Sequence, residues 1–179
     1  YLEIAKVQLQ QGNPAAQRAT RRTLLRVLET VLRLLHPVAP FITAELWEAV
    51  APVAGRKAAG SGASIVTSPY PQAQPEKVDA QADAWVARLK ALVAETRRLR
   101  SEMGLAPGER VPLLALGDAG FVAAATPLLK ALARIAEVRV PADEAAFAAA
   151  TRNAPVAVSG DLRLALHVEI DVAAERARL

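Results

Sequence analysis

A proline corner near residue 40 is the feature that most constrains how this chain can fold. Apolar residues recur over 15–35 with the 3.6-residue period of an amphipathic helix, and Pro37 follows shortly after. Pro37 lacks an amide hydrogen and disfavours helical geometry at His36, so that helix must end there. Pro40 suits the first turn of a second helix over 41–50. The sequence therefore predicts two helices joined at a fixed, tight corner, with His36 packed and hydrogen-bonded within it.

The remaining segments predict a mainly α chain with a separate α+β part. A short amphipathic helix covers 1–10, and a second long helix covers about 79–103, ended by Gly104. After Arg110 the apolar period changes from that of a helix to that of strands. The shorter segments predict an extended piece at 65–67, a strand over 111–116, a helix over 121–136, a strand over 138–140, a polar connection at 143–144 and a hairpin of 154–159 with 162–168. We expect a helical domain over 1–108, a small α+β module over 109–170 and the start of a further helix over 171–179.

The residue types exclude several classes of function. The chain has no cysteine, which removes disulfides, thiolate metal sites and cysteine nucleophiles, and its two histidines, His36 and His167, leave little for metal chemistry. No apolar run is long enough to cross a membrane and no secretion signal is visible, so we expect a cytoplasmic protein. The chain starts at Tyr1 and stops in mid-pattern, which is typical of a piece of a longer polypeptide.

Two patterns that could carry chemistry are better explained by ordinary structure. Residues 55–62 have the glycine spacing of a phosphate loop, but Ser61 occupies the lysine position and no buried strand precedes it. Ser159, Asp161 and His167 could suggest a hydrolytic triad. All three fall on one predicted hairpin, where a nucleophile, a base and an orienting acid cannot easily converge.

Charge and arginine spacing point to a partner. Residues 1–110 hold 15 Lys and Arg against 10 Asp and Glu, whereas residues 111–179 hold 7 against 8. On the first long helix, four arginines form one stripe that spans about 80° of a helical wheel and is interrupted by Glu29. They are Arg18, Arg22, Arg26 and Arg33. On the second long helix, the arc away from Trp85 holds Lys90, Arg97 and Arg98, with Arg100 at its edge.

Guanidinium groups suit this basic surface to nucleic acid, because they bind phosphate oxygens in pairs and stack on bases. The residues that we assign to RNA binding are Arg22, Arg26, Arg33, Lys90, Arg97, Arg98 and Arg100. An ordinary solvated face is the alternative explanation. Trp47 and Trp85 lie in apolar stripes, which favours core packing over stacking on bases.

Three motifs connect the chain with a known family. The corner His-Pro-x-x-Pro-Phe-Ile-Thr-x-Glu-Leu-Trp at 36–47 resembles the anticodon-binding region of the class I aminoacyl-tRNA synthetases for valine, isoleucine and leucine. Its structural residues are His36, Pro37, Pro40, Phe41 and Trp47. Residues 97–108 resemble the Arg-x-x-Arg-x-Glu-Met-x-Ile-x-Pro-Gly segment of the valine–tRNA ligases, with Gly104 and Leu105 in place of Asn and Ile. Ser-Pro-Tyr-Pro at 68–71 matches the stop that the family has before its second long helix.

The resemblance implies an antiparallel helical bundle that contacts the anticodon stem and loop of tRNA, with the corner as scaffolding. It also implies that the α+β module leads into a C-terminal coiled coil, which would begin over 171–179. The parent enzyme would attach valine to its tRNA with ATP and magnesium. This part lacks the HIGH and KMSKS signatures, so we expect it to be non-catalytic and without a cofactor.

The implied partners are a valine-accepting tRNA and the catalytic, editing and coiled-coil regions of the same polypeptide, with no membrane. Two alternatives remain open. One is the same module of an isoleucine– or leucine–tRNA ligase. The other is a helical module that does not bind RNA and docks a protein partner through its leucine and tryptophan stripes.

Overall fold

The chain folds into two units that differ in secondary structure. The computed structural model describes residues 1–57, 62–152 and 154–167, and these form six α-helices and a four-stranded sheet. The first unit, Tyr1–Val78, is helical, whereas the second, Asp79–Leu179, combines helices with the sheet. The predicted combination of a helical part and a small α+β part is confirmed.

The helices of the first unit begin and end at residues that interrupt the helical pattern. They are α1 (Leu2–Gln11), α2 (Pro14–Leu35) and α3 (Pro40–Val53). Asn13 caps α2, and its side-chain oxygen accepts a 2.8 Å hydrogen bond from the amide of Ala16. Helices α2 and α3 each start with a proline. Proline has no amide hydrogen, and this costs no hydrogen bond in the first turn, where backbone amides have no partner within the helix. The predicted helices over 1–10, 15–35 and 41–50 are confirmed.

The corner between α2 and α3 is held by side chains at its base. Thr43 is buried, donates to the carbonyl of Ala39 at 2.7 Å and shares a 2.8 Å hydrogen bond with Nδ1 of His36. His36 therefore has the hydrogen-bonded role that the sequence predicted. Phe41 differs from this pattern, since it is 90% exposed and lies outside the buried core.

Trp47 lies in the core of the first unit. It is buried in a cluster with Leu32, Ala51 and Ile65, as its position in an apolar stripe predicted. Its indole nitrogen has no hydrogen-bond partner among the residues that the structure describes. Trp47 therefore contributes to the unit through packing.

Ile65 reaches this core from a short turn. Residues Ile65–Thr67 form one turn of 3₁₀ helix, in which the side chain of Ser64 accepts a 3.3 Å hydrogen bond from the amide of Val66. The hydroxyl of Thr67 donates to the carbonyl of Ser64 at 3.0 Å. The predicted extended piece at 65–67 is wrong, because these local side-chain bonds favour a turn.

The second unit starts with a long helix. Helix α4 (Ala80–Glu102) is capped by Asp79, whose carboxylate accepts from the amides of Gln81 and Ala82, both at 3.0 Å. The helix ends before Gly104, which takes the left-handed conformation at a φ of +64° that favours glycine. The buried face of α4 includes Leu89, Leu92, Val93, Thr96 and Leu99.

A mixed sheet forms the centre of the second unit. Its strands are β1 (Val111–Leu116), β2 (Ile135–Arg139), β3 (Val156–Ser159) and β4 (Leu162–Leu166), in the spatial order β2-β1-β4-β3. Strands β1 and β2 are parallel and are connected by α5 (Ala119–Leu132), while β4 is antiparallel to both β1 and β3. The predicted strand over 111–116 and the predicted hairpin are confirmed.

Two predicted boundaries in this unit are wrong. The sequence predicted one helix over 121–136, but α5 ends at Leu132 and Arg134 has a left-handed backbone at a φ of +55°. Strand β2 then starts earlier than predicted, at Ile135, which is buried and pairs with Val111. Pairing with β1 overrides the local helical pattern.

One helix is absent from the sequence prediction. Helix α6 (Glu144–Ala150) occupies the part of the chain that was expected to be a polar connection. Asp143 caps it by accepting an amide hydrogen bond of 2.7 Å in the first turn. Phe147 is buried and packs with Leu114 and Ala165 of the sheet. A helix this short, with a single large apolar side chain, shows no periodic signal in the sequence.

The boundary between the two units differs from the predicted domain limit. The sequence predicted that the helix over 79–103 belongs to a domain that ends at residue 108, whereas the units separate between Val78 and Asp79. The physical reason is that α4 packs on β3, β4 and α5. The predicted segment over 171–179, with its coiled-coil helix, lies outside the described residues.

Candidate nucleic-acid interface

Four exposed arginines lie on α2 between residues 18 and 26. The side chains on the surface of this helix include Arg18, Arg21, Arg22 and Arg26. The sequence predicted RNA binding for Arg22 and Arg26 but not for Arg21. The adjacent pair Arg21 and Arg22 was itself a signal, because neighbouring guanidinium groups raise the local positive potential.

Glu29 organises the arginines around it. It is only 1% exposed, and its carboxylate accepts from Nε and Nη2 of Arg33 at 2.9 and 3.1 Å and from Nε of Arg56 at 2.9 Å. Arg33, which the sequence placed on an exposed stripe, is mostly buried by this contact. Arg56 comes from the segment after α3, so no helical-wheel argument could have found it. One buried carboxylate therefore fixes two guanidinium groups.

Glu29 keeps its negative charge despite its burial. Burial alone raises the pKa of a carboxyl group, but the hydrogen bonds from Arg56 and Arg33 outweigh that effect and hold the pKa of Glu29 below its ordinary value of 4.5. Two positive groups thus share one negative group. The cluster keeps a net positive charge.

We expect Glu29→Gln to lower the free energy of unfolding of the first unit by about 2 kcal/mol near neutral pH. This cost is smaller than that of breaking a fully buried ion pair, because the side chain of Arg56 is 46% exposed. A carboxylate with a lowered pKa gives stability that is present above the unfolded pKa and lost as the pH falls through the folded pKa. The difference between the two proteins should therefore shrink below pH 4.5. Urea unfolding of both proteins at a series of pH values measures this difference in stability. A difference that does not change with pH would contradict the stabilising role of the Glu29 carboxylate.

A pocket of about 460 Å³ opens beside these arginines. We call it the tyrosine pocket, and the side chains that matter in its lining are Arg26, Arg33, Arg56, Tyr70, Gln72 and Gln74. Arg33 donates to the carbonyl of Pro69 at 2.7 Å, and Nη2 of Arg26 donates to Oε1 of Gln74 at 3.0 Å. These two bonds hold the segment around Tyr70 against α2.

A second pocket, of about 530 Å³, adjoins the first. We call it the arginine hollow, and its charged lining consists of Arg21, Arg22, Arg26, Glu29 and Arg56. Arg26 and Arg56 border both pockets, so the two pockets are direct neighbours on the surface of the first unit. Guanidinium groups, an aromatic ring and side-chain amides together can bind both the phosphates and the bases of RNA.

The predicted RNA-binding arginines of α4 have partners within the second unit. Arg97 donates to the carbonyl of Leu132 at the end of α5, from Nη2 at 2.7 Å and from Nε at 3.0 Å. Arg98 pairs with Glu95 and Glu102 at 2.8 and 2.6 Å. Both arginines remain exposed, and their role in RNA binding stays a prediction.

Arg100 is buried, whereas the sequence placed it at the edge of an exposed arc. Its guanidinium donates to the carbonyls of Ala106 and Glu109 at 3.0 and 2.8 Å, so it closes the loop that follows α4. An RNA contact by Arg100 would have to break this network. Lys90, by contrast, is exposed. The assignment of Lys90 and Arg100 to RNA binding stays a prediction.

Trp85 and Arg88 form an aromatic and ionic cluster on α4. The rings of Trp85 and Phe121 meet edge-on with centroids 5.8 Å apart, and the guanidinium of Arg88 lies 4.0 Å from the centroid of Phe121. Arg88 also pairs with Asp118 and Asp161 at 2.9 and 2.7 Å. The amide of Phe121 and the guanidinium of Arg88 lower the pKa of Asp118. Trp85 therefore packs within its own unit, and Asp161 is part of an ion pair.

Within residues 1–57, 62–152 and 154–167, no group of three or more His, Asp or Glu side chains could hold a metal ion. No helix in that part of the chain is both long enough and apolar enough to cross a membrane.

Comparisons with known proteins give the family. Residues 1–115 match the model of the anticodon-binding domain of tRNA ligase. The chain is 52% identical over 179 residues to a valine–tRNA ligase of Dechloromonas aromatica, 48% over 179 residues to one of Laribacter hongkongensis and 47% over 183 residues to one of Chromobacterium violaceum. All of this chain aligns in each case, and it spans 18% of the length of each relative. As its corner motif predicted, the chain belongs to the family of tRNA ligase anticodon-binding domains.

Proposed function

We propose that this chain is the tRNA-binding module of a valine–tRNA ligase and that it holds the anticodon stem and loop. The observation that carries the proposal is the pair of neighbouring arginine-lined pockets, the tyrosine pocket and the arginine hollow, which lie inside the segment that matches the family. Arg21, Arg22 and Arg26 are exposed there and suit phosphate oxygens. Arg33 contributes by fixing the segment that carries Tyr70.

Several further parts of the proposal rest on the relatives and on the family resemblance. Valine is the amino acid in the names of the three relatives. The parent enzyme would attach valine to tRNA with ATP and magnesium, and other regions of the polypeptide would supply that chemistry. The antiparallel arrangement of the bundle and a cytoplasmic location belong to the same proposal.

The rest of the polypeptide is the second partner in this proposal. The chain spans 18% of the length of its relatives, so a parent of that size would present other domains to it. The corner between α2 and α3 leaves Val38, Phe41 and Ile42 exposed. Apolar side chains exposed together are typical of a surface that another domain covers.

Titration of the full-length protein that carries this chain with a valine-accepting tRNA tests the proposal. Log affinity should fall linearly with log salt, at about 0.7 to 0.9 for each of about five or six phosphate contacts. Exchange of anticodon bases should weaken binding at constant salt. Equal, weak affinity for the tRNA and for a random polyanion would contradict the proposal and favour a protein-interaction module. A preference for isoleucine- or leucine-accepting tRNA would instead assign the module to an isoleucine– or leucine–tRNA ligase.

A further inference from the structure

The tyrosine pocket has features that phosphate attraction alone does not require. We propose that it binds one unpaired nucleotide of the anticodon loop, with the base stacked on Tyr70 and a phosphate in the arginine hollow. This inference rests on the proposed function of the chain. It adds the place and the chemistry by which a single base would be recognised.

The backbone that carries Tyr70 is held in position before any ligand arrives. Arg33 links the buried carboxylate of Glu29 to the carbonyl of Pro69, the residue before Tyr70. Pro69 and Pro71 on either side restrict the backbone, because the proline ring fixes φ. The tyrosine itself remains 56% exposed. An exposed aromatic ring on a restrained backbone can stack on a base with less loss of conformational entropy than one on a free loop.

The guanidinium groups of the pocket are hydrogen-bond donors, whereas Gln72 and Tyr70 can both donate and accept. Oε1 of Gln74 accepts from Nη2 of Arg26 at 3.0 Å and from Nζ of Lys77 at 2.6 Å. The amide NH₂ of Gln74 is therefore the part of that side chain that can bind a ligand, and it only donates. Guanidinium groups also only donate. The guanidinium groups and Gln74 therefore offer donors to the carbonyl and ring-nitrogen acceptors that a base presents at its edge.

The size and charge of the two pockets fit one nucleotide with its phosphate. The volume of about 460 Å³ is within the range of about 300–1,000 Å³ typical of small-ligand sites. A base can enter such a concave site only when it is unpaired and unstacked, as in an RNA loop. The acid in the lining, Glu29, is already paired with Arg33 and Arg56, so Arg21 and Arg22 can attract phosphate in the adjoining hollow.

The test uses the full-length protein that carries this chain and a valine-accepting tRNA from which each anticodon-loop base is removed in turn. The variants are Tyr70→Ala, Tyr70→Phe and, as a matched control, Tyr1→Ala, which changes another exposed tyrosine of the same unit that lies outside both pockets. Tyr70→Ala should lower the affinity for intact tRNA about tenfold or more, and Tyr70→Phe should recover most of that loss. Tyr1→Ala should bind like the unchanged protein.

The abasic series locates the contact. At one loop position, the tRNA that lacks the base should bind equally well to Tyr70→Ala and to the unchanged protein. The reason is that base removal and the substitution delete the same stacking contact. Additive losses at every loop position would overturn the inference, because Tyr70 would then act through the fold. Unchanged affinity of Tyr70→Ala, with salt-dependent tRNA binding intact, would overturn the pocket alone. Absence of salt-dependent binding by the unchanged protein would overturn the proposed function as well.

Discussion

Removing three arginines from the surface of α2 is expected to cause a large loss of tRNA affinity. The replacements Arg21→Gln, Arg22→Gln and Arg26→Gln remove three positive charges from the arginine hollow while keeping polar side chains there. If each arginine contacts one phosphate, the slope of log affinity against log salt should become shallower by about 2 to 2.7. Affinity near 0.1 M salt should then fall by about a hundredfold. Fluorescence titration over a salt series measures both quantities.

The control changes the same number of charges elsewhere. It replaces three exposed cations of the second unit that were not assigned to RNA, namely Lys130, Arg139 and Arg152. This control should leave the slope close to that of the unchanged protein. A third variant, with Lys90, Arg97 and Arg98 replaced, tests the predicted role of α4. Equal slope changes in all three variants would mean that net charge alone attracts the RNA.

Replacing Trp47 by alanine is expected to destabilise the first unit by about 3–5 kcal/mol, because the large ring is buried among Leu32, Ala51 and Ile65. The chain has two tryptophans, so Trp85 becomes the only one in this variant and reports on the second unit. In urea, the part of the far-UV circular dichroism signal that comes from the first unit should be lost at low denaturant concentration. The emission of Trp85 should stay native-like at that concentration. Simultaneous loss of both signals would show that the two units unfold together.

Trp47→Phe is the matched control. The indole nitrogen has no partner among the described residues, so phenylalanine loses ring volume without losing a hydrogen bond. We expect a cost of about 1–2 kcal/mol for this variant. A cost equal to that of alanine would contradict the view that Trp47 acts through packing.

The elements that the sequence predicted well depend on local physics. Pro37 and Pro40 act on their own peptide units and on direct neighbours, so the corner between α2 and α3 could be located without any tertiary information. Gly104 ends α4 for a reason that is equally local, since glycine tolerates a positive φ. Strand β1 also has its predicted limits.

The errors arise where distant parts of the chain decide. The sequence treated Glu29 as a break in the arginine stripe, but Arg56, far away in the chain, makes it the centre of the cluster. Arg100 looked exposed on a helical wheel, yet the loop after α4 folds over it and accepts its hydrogen bonds. Strand β2 starts at Ile135 because β1 is available to pair with it.

The sequence by itself determined the approximate limits of α1 to α4, the change from helices to strands after Arg110 and the family, because prolines, glycines, apolar spacing and short motifs act over a few residues. Only the tertiary structure decided that α4 packs with the sheet and that Arg26, Arg56 and Tyr70 line one pocket. Those outcomes depend on which buried groups find partners across long stretches of chain. Local patterns carry little information about such contacts.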